Sequence, residues 1–154
     1  MNDKVEKDPP AKDPQAKDPQ AKDTGAKDTP APFNWVNARF ACSLPNVFKE
    51  LMLQVEADVK TRNGLRPNNS PYAFSMTEDG DSFTVLLEAE GVHKSVIFSL
   101  ADHAILVRDQ GKDLFEVTLS FNEAGECKLN VQEQERDLWQ VRRMALEDLL
   151  FRPY

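Results

Sequence analysis

The sequence predicts an α+β domain: a curved antiparallel sheet of about six to seven strands in β-α-β6-α order, with an N-terminal and a C-terminal helix packed on one face. Three observations carry this expectation. Apolar residues alternate with period two from Tyr72 to Val131, the flanking stretches repeat at helical spacing, and the links between alternating runs are short enough only for antiparallel neighbours.

The elements follow in chain order. In "WVNARFACS", Val36, Ala38, Phe40 and Cys42 alternate, which predicts a first strand. Ser43 suits the N-cap of a helix with Pro45 in its first turn, running to about Arg62 and closed by Gly64 in a left-handed conformation. On the helical wheel Leu44, Val47, Phe48, Leu51, Met52, Val55 and Val59 form one apolar stripe, and Leu53 falls on the polar side. The alternating residues come next: Tyr72, Phe74 and Met76; Phe83, Val85 and Leu87; Val96, Phe98 and Leu100; Ala104 and Leu106; Phe115, Val117, Leu119 and Phe121; Cys127, Leu129 and Val131. Turn chemistry in "EDGD", "EAEG", "DQGK" and "NEAG" separates them, and the interleaved Ser75, Thr84, Glu116, Thr118, Lys128 and Asn130 make one face wet. Asp137 caps a last helix reaching about Phe151, with Leu138, Trp139, Val141, Ala145, Leu146, Leu149 and Leu150 on a broad apolar arc.

The order strand, helix, six strands, helix resembles the helix-grip architecture of START-like and pollen-allergen-like lipid carriers. That resemblance implies a cavity closed by the last helix against the sheet.

Residues 1–32 stand apart from this domain, which spans 33–154. They hold six of the ten prolines and repeat a Lys-Asp word from Ala11 to Thr29, so they bury too little to offset their ordering entropy and are expected to form a disordered tether. A repeated docking word is the alternative reading. Seven acids face six lysines in this tail, whereas the domain holds nineteen acids against thirteen bases. So acidic a surface repels phosphate backbones, which argues against nucleic acid as a partner. No run has membrane-spanning length and the first residues show no apolar leader, so the expectation is a cytoplasmic protein without a membrane span, for which the acceptor pattern at Asn68 is without meaning.

Cys42 and Cys127 lack any metal or redox spacing and read as small buried apolar residues, in a domain long enough to need no disulfide. His93 and His103 sit at strand edges without a second motif, and Glu78-Asp79-Gly80-Asp81 reads as a hairpin corner rather than a calcium loop. No metal, cofactor or catalytic residue is assigned, because no nucleophile or phosphate-binding motif occurs.

Arg142 is the most informative single residue, since it falls amid the apolar arc of the last helix. A charge there must snorkel to the edge, pair with a carboxylate, or grip an anionic ligand whose apolar part Phe83, Phe98 and Phe115 would line. Leu53, Met144 and Phe151 are the apolar residues off their faces, and neighbouring helices would merge them into a patch for a protein partner or a homodimer. The leading functional expectation is a non-enzymatic protein-interaction or adaptor domain on a disordered tether. The alternative is a carrier for a small apolar or lipid-like ligand held between sheet and C-terminal helix, and the interior space separates the two.

Overall fold

A computed structural model describes residues 31–152 of the protein. The expected tether lies almost wholly outside the described residues. The chain divides into two units, Met1–Asn34 and Trp35–Tyr154, and the second contains every element: α1 (Trp35–Ala41), α2 (Leu44–Gly64), β1 (Ala73–Asp79), β2 (Ser82–Ala89), β3 (Val92–Leu100), β4 (Ile105–Asp109), β5 (Lys112–Phe121), β6 (Cys127–Val131), β7 (Gln134–Arg136) and α3 (Leu138–Phe151). The seven strands form one antiparallel sheet in sequence order, an α+β fold with helices on its N- and C-terminal sides.

Local chemistry sets the helix boundaries. Ser43 Oγ accepts the Asn46 N–H at 3.3 Å to cap α2, and Phe48, Leu51, Val55 and Val59 are the buried part of its stripe. Gly64 is the last helical residue and not the left-handed stop expected of it: the right-handed Leu65 closes the helix by donating its N–H to the carbonyls of Thr61 and Arg62. For α3, Asp137 forms a capping box with Gln140, whose side-chain oxygen accepts the Asp137 N–H at 2.8 Å.

The first element is a helix, where alternation predicted a strand. Trp35, Val36, Arg39 and Phe40 share one helical face as readily as Val36, Ala38 and Phe40 share a strand face, and so short a run cannot separate the two periods. None of its seven residues is buried, and the Cys42 N–H bonds to the Ala38 carbonyl at 3.2 Å. The seventh strand comes instead from β7.

Strand β4 has the opposite phase to that expected. Ile105 and Val107 face the core, opposite Val117 and Phe115, while Leu106 lies between Ser99 and Glu116 on the other face. Ala104 is buried in the loop before the strand. Between β4 and β5 the register shifts at Val107/Arg108, so that Leu114 has no partner and is exposed. Further on, β5 leaves β4 and pairs Thr118–Phe121 with β6.

The turns explain the register. Gln110 and Gly111 both take positive φ (56° and 82°) between β4 and β5, as a two-residue hairpin demands. Between β6 and β7 the same positions are Gln132 (φ 53°) and Glu133 (φ 66°), where side chains with a Cβ are disfavoured. Exchanging this pair for Asn-Gly is expected to stabilise the domain by about 1 kcal/mol. A higher urea midpoint at unchanged slope checks this; an unchanged or lower midpoint contradicts it. In the β5–β6 turn the Asn122 side-chain oxygen accepts the N–H groups of Ala124 and Glu126, and its amide donates to Glu126 Oε1 at 3.0 Å. That hydrogen bond, aided by the nearby Lys128 ammonium, holds the Glu126 carboxyl below the usual carboxylate range.

The cysteine reading is corrected outright. Cys42 and Cys127 form a disulfide, with Cα atoms 5.4 Å apart across a sequence separation of 85. Cys127 opens β6 opposite Phe121 at the end of β5, and the α1–α2 corner brings Cys42 over it. A pairing so distant in sequence leaves no spacing to read.

Phe83 and Phe98 are register partners on β2 and β3 with rings stacked 4.6 Å apart, and Phe48 of α2 tilts onto Phe83 at 5.2 Å. Val141, Ala145, Leu146, Leu149 and Leu150 of α3 join the same core cluster, which places both long helices on one face of the sheet.

Candidate functional site

The helical periodicity that buries one stripe of α2 and one of α3 leaves the two helices side by side, with a groove lined by residues of both and by Leu65 just after α2. It encloses about 340 Å³, lined by Asp58, Thr61, Arg62 and Leu65 on one side and by Trp139, Arg142, Arg143, Leu146, Glu147, Leu150 and Phe151 on the other. Leu146 and Leu150 belong to the core, whereas Leu65, Trp139 and Phe151 are 72%, 52% and 63% exposed. Three large apolar side chains left open around one depression are more than the scattered exposure that ordinary surfaces show.

Two arginines stitch the helices together. Arg142 Nε donates to Asp58 Oδ2 at 2.6 Å, and Arg142 Nη1 donates to Gln54 Oε1. Both members of this ion pair are half-buried, a setting in which loss of either partner strands the other. Arg62 Nε donates at 2.8 Å to the Leu150 carbonyl, one of the last carbonyls of α3 that lack a helical partner. Its guanidinium carbon also lies 5.4 Å from the Phe74 ring centre and 5.3 Å from that of Phe151. Arg143 pairs with Glu147 at 3.0 Å. Arg62 is thus the one lining arginine without a carboxylate among the described residues, and it places a positive charge beside the apolar rim.

The residues singled out in the sequence are not gathered at one place. Arg142 lies in the groove and is engaged by Asp58 and Gln54. Phe83 and Phe98 are fully buried between sheet and helices, in contact with each other. Phe115 lies near the β4–β5 irregularity, beside His103, Arg108 and Asp113. Of the three misplaced apolar residues, Phe151 lines the groove, while Leu53 and Met144 are exposed and take no part in its lining. Trp139, expected on the core-facing arc, stands at its edge and is exposed.

Leu65, Trp139 and Arg62 were missed. One signal was available: Asp58 and Arg62 fall within the apolar arc of α2, as Arg142 does in α3, and opposite charges inside two facing stripes mark a helix–helix seam. His93 and His103 make exposed pairs with Glu88 at 3.0 Å and Glu116 at 3.9 Å, which contribute little. No group of three or more His, Cys, Asp or Glu side chains converges among the described residues. No helix among them is long and apolar enough to cross a membrane.

Compared with known proteins, the chain matches no family model, no curated sequence and no solved structure. The geometry of the groove therefore stands alone, and what it offers chemically is apolar contact beside two arginine–carboxylate pairs and the Arg62 guanidinium, which meets no carboxylate among the described residues.

Proposed function

We propose that this is a protein-interaction domain whose α2–α3 groove seats the apolar side chains of an amphipathic helix from a partner protein. The observation that carries the reading is the ring of Leu65, Trp139 and Phe151 around a floor of Leu146 and Leu150. Two neighbouring helices offer the kind of groove into which ridges of a third can fit. The charge of Arg62, which meets no carboxylate among the described residues, favours a partner helix with an acidic residue next to its apolar anchors. A carrier would need space between the sheet and α3, where the Phe83–Phe98 stack and the inward side chains of α3 lie. The residues before Phe33 would serve as a tether for this domain, with the Lys-Asp words as spacer. The Cys42–Cys127 bridge favours an oxidising compartment over the cytoplasmic location expected from the sequence.

A photoreactive phenylalanine analogue in place of Leu65, in the full chain expressed in its own cells, tests the groove. The expected product is a protein adduct that Trp139→Glu with Phe151→Glu abolishes and Leu53→Glu leaves intact. An adduct indifferent to Trp139 and Phe151 contradicts the reading.

A further inference from the structure

The sheet is open, and its two edges differ. One is β7, only three residues long; the other is β1, with seven. Asp79 and Ser82 close the two-residue turn Gly80-Asp81, so they form a hydrogen-bonded pair, and alternation along an antiparallel ladder then directs the N–H and C=O groups of Ser75, Thr77 and Asp79 toward β2. The same groups of Phe74, Met76 and Glu78 point the other way, to the outside of the sheet.

Asn63 confirms this phase. Its side-chain oxygen accepts the Phe74 N–H at 2.9 Å, and its side-chain nitrogen donates to the Phe74 carbonyl at 2.8 Å. One amide side chain at the end of α2 thus does for Phe74 what the peptide group of a neighbouring strand would do. The next two outward residues, Met76 and Glu78, have no such partner among the described residues, which leaves two donors and two acceptors in line at the spacing of an added strand.

Charge decides what fits there. From Ala73 to Ser82 the strand and its turn carry Glu78, Asp79 and Asp81 and no base. A second copy pairing antiparallel through Met76 and Glu78 would set each Glu78 opposite a Met76 and bring three further acids and no base, so none of these carboxylates would gain a partner of opposite charge. An incoming segment of opposite sign supplies that partner. Met76 is half-buried on the core-facing side of β1, and Glu78 follows it on that side, exposed.

We infer that the β1 edge accepts an extended segment of another protein as an eighth strand, with an apolar side chain opposite Met76 and a Lys or Arg opposite Glu78. Backbone hydrogen bonds to Met76 and Glu78 supply the attachment, and the alternate side chains supply the selectivity. This surface is distinct from the α2–α3 groove, and its failure would leave the groove untouched.

The test uses the isotopically labelled full chain and the peptide acetyl-Thr-Lys-Thr-Val-Thr-Lys-Thr-amide, which presents Val beside Lys in either strand direction. Saturable shifts of the Met76 and Glu78 amide resonances are expected. The same peptide N-methylated at Val and at the Thr that follows it, which loses the donor to the Met76 carbonyl in either strand direction, should bind about tenfold more weakly. Glu78→Lys, a change at an exposed side chain, should reverse the preference toward a peptide with Glu in place of Lys. Shifts confined to other residues, no shift at saturating peptide, or equal binding of the N-methylated peptide would overturn the inference. So would concentration-dependent loss of the Met76 and Glu78 signals without peptide, which would assign the edge to self-pairing.

Discussion

Replacing Cys42 and Cys127 together by alanine is expected to lower the unfolding free energy by about 4 kcal/mol, with a fall in melting temperature of roughly 10–20 °C. The disulfide spans a sequence separation of 85, so in the unfolded chain it closes a loop long enough to remove much of the freedom of the ends. It also acts where the native structure is otherwise lightly held. No residue of α1 is buried, and β6 and β7 continue the sheet as short strands beyond the point where β5 has left β4. Reduction of the native protein should produce the same loss as the double substitution, and the denaturant slope should rise because the unfolded state becomes more extended. Coincident unfolding curves for the oxidised and reduced chain would show that the bridge contributes no stability.

Phe98→Ala is expected to cost about 3–5 kcal/mol, as removal of a fully buried aromatic from a filled core does. The Phe98 ring is inaccessible to solvent and stacks on Phe83, which in turn meets Phe48. The magnitude discriminates between readings of the interior. In a filled interior the substitution opens a new void whose lining loses its contacts, and the full penalty follows. Beside an existing ligand cavity the neighbours would already lack those contacts, and the loss would fall toward the transfer term alone, about 2 kcal/mol. Urea denaturation of the variant distinguishes the two, provided both proteins are oxidised.

Much of the fold was legible because long elements repeat their period many times. The stripe of α2 recurs through 21 residues, and that of α3 through 14. The elements misread or missed are those in which the pattern is too short or too uniform to have a phase. The seven residues of α1 suit either period, and Gln134-Glu135-Arg136 of β7 hold no apolar residue to alternate. Ala104-Ile105-Leu106-Val107 is apolar throughout, so its inward face is set by pairing with Val117 and Phe115 and not by the run itself. The disulfide could not be read, because proximity of Cys42 to Cys127 is a product of the whole fold.

The candidate site was legible only in its anomaly. Arg142 stood out as a charge on an apolar arc, but its partner Asp58 lies 84 residues earlier, and helix neighbourhood is a tertiary fact. Leu65 was hidden for a related reason. It lies just beyond the last turn of α2, where the wheel no longer applies, and its exposure follows from the closing of that helix.

Native mass spectrometry of the full chain, purified from its own cells in parallel with the Trp139→Glu, Phe151→Glu double variant, tests the groove most directly. A second polypeptide bound to the native chain and lost from the variant is the expected result. A small apolar molecule retained equally by both chains would contradict it and would return the interior, not the groove, as the place where this protein works.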